Sequence, residues 1–240
     1  MDAPRRAARM TRGSGRVGRR HPAEFIERLM KVAFDAFVAY GYEGASMRQI
    51  AKEAGTTIQR VVYHVRSKEE LWKQVMKRVV DSYDLRRKAV LESLGDAPAA
   101  TKLRHVINDM VTFQAQMPGI HRMMTSDAAQ ASKRLSWLCQ NYLLAQVREM
   151  VGLIKEAQHE GAVRRVDPAR LRYAILSMGA VPFAIAAEFQ ATTGHNPFDR
   201  EEVQRTIDFI CELVFVDNTP DQSGPNHVRY ADARRPKRKQ

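Results

Sequence analysis

The sequence contains few of the residues from which disulfide-stabilised, metal-binding or membrane-spanning proteins are built. Its two cysteines, Cys139 and Cys211, lie far apart and have none of the CxxC-type spacing of a metal or redox site. We therefore expect a reduced, cytoplasmic environment in which both thiols act as small apolar core groups. The longest uncharged stretch, residues 173–187, is shorter than the roughly 20 residues that cross a bilayer, and residues 1–20 lack the apolar segment of a secretory signal.

Motifs of catalytic chemistry are missing as well. The sequence has no glycine-rich phosphate loop, no GxSxG motif and no paired carboxylates in an apolar setting. Its seven histidines are scattered, and no two of them have the i, i+4 spacing of a helical zinc site. We therefore predict a protein that is not an enzyme and that has neither a cofactor nor a metal site.

Positive charge is concentrated at the two ends of the chain. Of the net charge of +12, residues 1–21 contribute seven arginines against one aspartate, and residues 218–240 contribute six lysines and arginines against two aspartates. We predict a basic disordered arm at 1–21 and a basic disordered tail at 218–240, whose charge suits a polyanion such as DNA. One function that this charge alone would allow is a sequence-tolerant nucleic-acid-binding protein without an effector.

Helical periodicity dominates the residues between the two basic ends, which predicts an all-α protein. A first helix is expected from Pro22 to about Gly41. Capping boxes at 46–49 and 67–70 predict a short helix and a helix reaching about Leu94, and Thr57 is expected to start a short helix between them. Further helices are predicted at about 98–116, 118–128, 131–160, 167–192 and 199–216.

Two of the predicted C-terminal helices are apolar on more than one side. The helix over 171–190 has apolar residues almost all round, and the last helix has the same property to a lesser degree. Such helices must be covered on opposite sides, once by their own domain and once by a partner. We therefore predict a four-helix dimer interface within a ligand-binding and dimerisation domain at 68–217, preceded by a DNA-binding domain at 22–67.

Residues 46–68 have the organisation of a helix-turn-helix, with two short capped helices separated by a glycine turn. The second helix of this motif enters the major groove, so its outward face must be polar. Here Arg60 is suited to guanine and Gln59 to adenine, although a solvated polar face would give the same pattern. The predicted DNA-binding residues are Ser46, Arg48, Thr56, Thr57, Gln59, Arg60, Tyr63, His64 and Lys68.

The same region resembles the DNA-binding domain of the TetR family of transcriptional regulators. The resemblance covers about residues 23–73 and rests on the segments 34–37, 41–42, 45–51, 54–55, 63–65 and 67–71. The sequence departs from the family pattern at Gln59, where a small residue is frequent, and at Val62, where tyrosine is frequent. The resemblance implies an all-α homodimer with a short DNA-binding domain and a larger ligand-binding core whose last two helices pair across the dimer.

The resemblance also implies a ligand cavity in the C-terminal domain. Methionine and aromatic side chains suit such a cavity because they adapt to apolar ligands, although they could equally fill the core. The candidate lining residues are Met110, Phe113, Met117, Met124, Trp137, Met178 and Phe183, with Gln114, His121 and Tyr142 as candidate polar anchors. Few charges are expected to face inward, which predicts a largely apolar effector. The predicted function is that of a dimeric repressor that leaves palindromic operator DNA when this effector binds.

Overall fold

The computed structural model describes residues 22–128 and 132–216, so the predicted basic arm and basic tail lie outside the described residues. Within them the chain is helical, which confirms the all-α class. The helices are α1 (Pro22–Gly44), α2 (Met47–Glu53), α3 (Ile58–Val65), α4 (Lys68–Ser93), α5 (Ala99–Gln116), α6 (Pro118–Ala128), α7 (Lys133–Leu138), α8 (Leu144–His159), α9 (Pro168–Ala184), α10 (Ala186–Thr193) and α11 (Arg200–Val214).

Local hydrogen bonds start the helices of the predicted helix-turn-helix. The hydroxyl oxygens of Ser46, Thr57 and Ser67 accept hydrogen bonds from backbone amides three residues later, at 3.5, 3.3 and 3.1 Å. Each bond satisfies one of the amides that the first turn of a helix leaves without a partner. The predicted capping box at Ser46 is only half formed, because the Gln49 side chain donates to the Glu53 carboxylate instead.

The helices are interrupted at three places. Helix α1 contains a non-helical residue, Gly41, whose φ of 66° favours glycine, so the regular part of the helix ends where the sequence predicted. The helix predicted over 131–160 is instead interrupted by a π-helical segment, Cys139–Leu143. The helix predicted over 167–192 is also broken, at Ile185, three residues after Pro182, which lacks an amide hydrogen.

The break at Ile185 bends α10 away from α9 by 82°. Among the described residues no single helix is both long and apolar enough to span a membrane, and α9 and α10 reach that length and apolarity only when they are taken together across the bend.

The buried side chains form two clusters that do not coincide with the predicted domain boundary. The N-terminal cluster joins α1–α4 with residues of α6 and α7, including Ile120, Met123 and Leu138. The C-terminal cluster joins α5, α8, α9 and α11 around Ile107, Ile154 and Ile210. Because α6 packs against both α1 and α9, it connects the DNA-binding half of the chain to the C-terminal half.

A distant carboxylate caps α5. This helix begins after Pro98, which provides no side-chain cap, and Glu160 accepts hydrogen bonds from the amides of Ala99 and Ala100 at 2.7 and 3.0 Å. We expect Glu160→Ala to lower the free energy of unfolding by about 1–2 kcal/mol, because two amides lose a charged acceptor. Denaturant titration measures this change. Glu156→Ala, on an exposed residue one turn earlier, is the control, and equal stability of the two variants would contradict the prediction.

Candidate DNA-binding surface and ligand cavity

Helix α3 presents two chemically distinct faces. Val61 and Val65 are fully buried in the N-terminal cluster, whereas Gln59, Arg60 and Tyr63 are exposed. Tyr63 is 83% exposed, which is unusual for a large aromatic side chain and leaves its ring and hydroxyl free for a partner. The outward face is therefore polar and accessible, as a major-groove helix requires.

The side chains on this face contact one another and the aromatic ring of Phe25. The guanidinium carbon of Arg60 lies 4.2 Å from the centroid of the Phe25 ring, within the range of a cation–π contact. The ring of His64 lies 5.1 Å from that of Phe25 and 5.3 Å from that of Tyr63. Since Phe25 is itself buried in α1, it gives the exposed side chains a fixed support. The sequence did not identify Phe25 as part of this surface.

The predicted DNA-binding residues of α2 and of the turn before α3 are largely accessible. Arg48 and Thr57 are exposed, and with half-buried Thr56 they line one shallow depression. Because the oxygen atoms of Ser46 and Thr57 already accept the amide bonds that cap α2 and α3, their hydroxyl hydrogens are available for donation. Donation to a phosphate oxygen would position the protein on DNA without reading its sequence.

Lys68 has a contact within the protein that the sequence did not predict. Its ammonium group donates a hydrogen bond to the carbonyl oxygen of Glu43 at 3.0 Å and lies 4.8 Å from the ring centroid of Tyr42. This contact is possible because the chain turns at Gly41 and brings the end of α1 beside the start of α4. Lys68 thus connects the two helices, in addition to its predicted role in DNA binding.

The C-terminal half contains a cavity of about 110 Å³ between α4, α5, α6, α8 and α9. Most of its wall is apolar and comes from valine, leucine and methionine side chains. These residues are Val79, Val80, Val106, Met110, Phe113, Ile120, Met124, Leu143, Met150, Leu153 and Leu176. Tyr83, Arg87, Gln114, Gln146 and Arg172 complete the lining. A largely apolar wall with a few polar groups is typical of small-molecule sites.

Only some of the predicted ligand residues line this cavity, namely Met110, Phe113, Gln114 and Met124. Met117, Trp137 and Tyr142 pack against the N-terminal cluster instead, and Met178 and Phe183 belong to the C-terminal cluster. His121 is half-buried on α6, where burial lowers the pKa of its imidazole below the usual value. Among the residues missed were Val79, Val80, Tyr83 and Arg87, whose spacing along α4 places them on one helix face.

Two charged side chains that the sequence did not single out, Arg87 and Arg172, line the cavity. Arg87 forms ion pairs with Asp84, at 3.3 Å, and with Glu149 of α8. Gln146 of α8 also donates a hydrogen bond to Asp84, and Arg86 pairs with Asp109 of α5. A lone charge would be costly in an apolar wall, so the charge of Arg87 is tolerated through its two carboxylate partners.

The Tyr83 hydroxyl and the Gln114 side-chain amide are two further polar groups of the cavity. Burial raises the pKa of the Tyr83 hydroxyl to about 12, so it remains protonated at neutral pH and retains a hydrogen-bond donor. The side-chain oxygen Oε1 of Gln114 is buried without a hydrogen-bond partner among the described residues. The cavity therefore holds unused hydrogen-bonding capacity beside its apolar wall.

Comparison with known proteins agrees with this organisation. Residues 29–75 match the family model described as bacterial regulatory proteins, tetR family, and residues 100–214 match that of the tetracyclin repressor-like C-terminal domain. The HTH-type transcriptional regulator RutR of Escherichia coli (strain K12) is 24% identical over 208 residues, which cover 85% of this chain and 97% of that protein.

Solved structures of two regulators share the fold. HlyIIR, a hemolysin II transcriptional regulator, is 23% identical with a TM-score of 0.61, over 78% of this chain and 97% of that chain. AibR in complex with isovaleryl coenzyme A and operator DNA is 18% identical with a TM-score of 0.62, over 80% and 98%. Since the two family models match the helix-turn-helix and the helical C-terminal half in order, the chain belongs to the TetR family of transcriptional regulators.

Proposed function

We propose that this protein is a dimeric repressor that binds palindromic operator DNA and is released by a small molecule bound in the C-terminal cavity. The observation that carries the proposal is the outward face of α3, which is polar and exposed. Its Arg60 and His64 side chains contact the buried ring of Phe25. Arg60, held against this ring, is suited to donate two hydrogen bonds to the O6 and N7 atoms of guanine. AibR, which has a similar fold, forms a complex with isovaleryl coenzyme A and operator DNA.

A dimer is required because one recognition helix contacts too few base pairs for tight, specific binding. Two copies of α3 placed about 34 Å apart would reach successive major grooves on one side of the DNA. Helices α9 and α11 pack against each other and leave large apolar side chains exposed, which a second copy of the same helices would cover. These side chains are Tyr173, Val181, Phe209 and Leu213, and Ile185 directly after α9 is exposed as well.

Two helices connect the cavity to the DNA-binding half. Helix α4 begins directly after α3 and lines the cavity with Val79, Val80 and Tyr83. Helix α6 lines it with Ile120 and Met124 and packs against α1. A ligand that binds more tightly when these helices are displaced will favour a different spacing of the two α3 helices. Release from the operator then follows from a change in spacing, without contact between ligand and DNA.

The second candidate function is sequence-tolerant binding of nucleic acids through the basic ends, without an effector. Selection of bound sequences from a random DNA library at fixed salt concentration separates the two. We expect enrichment of an inverted repeat whose half-sites lie about 10 base pairs apart. Recovery of unrelated sequences with equal affinity would favour the second candidate, since phosphate contacts alone do not distinguish sequences.

Arg60→Ala tests the role of α3 directly. We expect operator affinity to fall by about 1–3 kcal/mol, roughly 5- to 150-fold, and base preference to relax at one position in each half-site. Affinity measurements on the operator and on its single-base variants check both effects. Lys52→Ala removes an equal charge from exposed α2 and should weaken binding to all sequences alike. An Arg60→Ala protein with unchanged affinity and preference would contradict the role assigned to Arg60.

A further inference from the structure

Arg172 of α9 differs from the other arginine of the cavity. No carboxylate of the described residues lies within 4 Å of its guanidinium, which instead lies 5.1 Å from the ring centroid of the adjacent Tyr173. Its Nε is buried and has no hydrogen-bond acceptor among the described residues. Arg87, by contrast, forms ion pairs with both Asp84 and Glu149. Among the described residues of the cavity wall, Arg172 therefore carries a positive charge that no carboxylate pairs with.

Arg172 is half-buried, and its buried Nε is in an unfavourable position because it has lost water without gaining a hydrogen-bond acceptor. A carboxylate is the group best matched to it, since the two form parallel charge-assisted hydrogen bonds. The unpartnered Oε1 of Gln114 lines the same cavity and would accept a donor from a polar ligand. Both observations indicate a ligand that carries polar atoms as well as an apolar body.

We propose, building on the repressor function above, that the effector is a small monocarboxylic acid whose carboxylate pairs with Arg172 and whose apolar body contacts the valine, leucine and methionine wall. One negative charge suffices because Arg87 is already paired. The cavity of about 110 Å³ is smaller than an engineered cavity of about 150 Å³ that holds benzene, so it suits an apolar body no larger than a benzene ring. The polyanionic part of a coenzyme A thioester would have to remain outside.

The proposal is tested with a panel of aliphatic and aromatic carboxylic acids of about four to seven carbons, each paired with its neutral amide. Calorimetry and thermal denaturation are carried out on the full chain and on Arg172→Gln, Arg172→Lys and Arg170→Gln. Arg170 is the matched control because it lies on the same helix and is exposed. We expect at least one acid to bind the wild type about 10- to 100-fold more tightly than its amide.

Arg172→Gln should lose this preference, Arg172→Lys should retain part of it, and Arg170→Gln should retain all of it. The proposal is overturned if no acid binds more tightly than its amide, if only coenzyme A thioesters bind, or if Arg172→Gln keeps the preference for acids. Any of these results leaves the repressor function intact, which fails only if the unliganded protein does not select an operator sequence.

Discussion

Phe209→Asp should convert the protein from a dimer into a folded monomer that no longer binds its operator tightly. Phe209 is 55% exposed on α11, within the apolar surface assigned to the subunit interface. A symmetric interface would bury two aspartates, one from each copy, without partners, and unpaired buried charges cost several kcal/mol each. Loss of the second half-site removes the gain in effective concentration, so operator affinity should fall by about 100-fold or more.

Sedimentation, circular dichroism and operator titration together check this result. Leu85→Asp is the matched control, because Leu85 is 73% exposed but lies on α4, away from α9 and α11. This variant should remain dimeric and bind DNA normally. A folded Phe209→Asp protein that stays dimeric would show that Phe209 lies outside the interface, and a monomeric wild type that still selects a palindrome would refute the dimer model.

Gly119→Ala should loosen the contact between the two halves of the chain. A Cβ atom at this position of α6 would lie 2.6 and 2.7 Å from the two methyl carbons of Val38 in α1. The branched Val38 side chain has little freedom to move aside, so the two helices must separate. We expect a cost of about 1–3 kcal/mol, reduced by the roughly 1 kcal/mol that alanine gains over glycine in a helix. Operator affinity should fall as well, because α1 carries Phe25.

Gly152→Ala provides the opposite expectation with the same chemical change. A Cβ atom at Gly152, inside α8, would have no neighbouring atom within 4 Å. Only the propensity gain remains, so this variant should be about 0.5–1 kcal/mol more stable than the wild type. Thermal denaturation and operator titration of both variants measure the difference. Equal shifts in the two proteins would mean that α1 and α6 are not held at the distance described.

The features that the sequence predicted well are those that depend on a few neighbouring residues. Ser46, Thr57 and Ser67 each cap a helix through an amide three residues away, so their chemistry is local. The π-helical segment at Cys139–Leu143 and the break at Ile185 were missed. A break in a helix that is apolar on all sides leaves no change in the hydrophobic pattern, and only Pro182 indicated it.

The ligand cavity was predicted less completely for a related reason. Met110, Phe113 and Gln114 were identified because α5 is rich in the residues that suit a ligand. Arg87 and Arg172 were not, because charged side chains are expected in water unless a partner is known. The partner of Arg87, Glu149, comes from a different helix, and Arg172 has no described carboxylate partner at all. Neither fact is visible in the order of the residues.

The ion pairs around Asp84 and Arg87 fix α4 at one level, about which the rest of the helix can rotate. Arg86 and Arg87 fasten the C-terminal half of the helix to α5 and α8, and Gln146 adds a hydrogen bond at the same level. The part of α4 between this level and Lys68 is about 27 Å long, so a rotation of the helix by about 5° would displace Lys68 by roughly 2 Å. Because Lys68 donates a hydrogen bond to the end of α1, such a displacement would also move α1. A ligand that shifts Val79 and Val80, which lie between this level and Lys68, would therefore move the start of α4 farther than it moves the wall of the cavity.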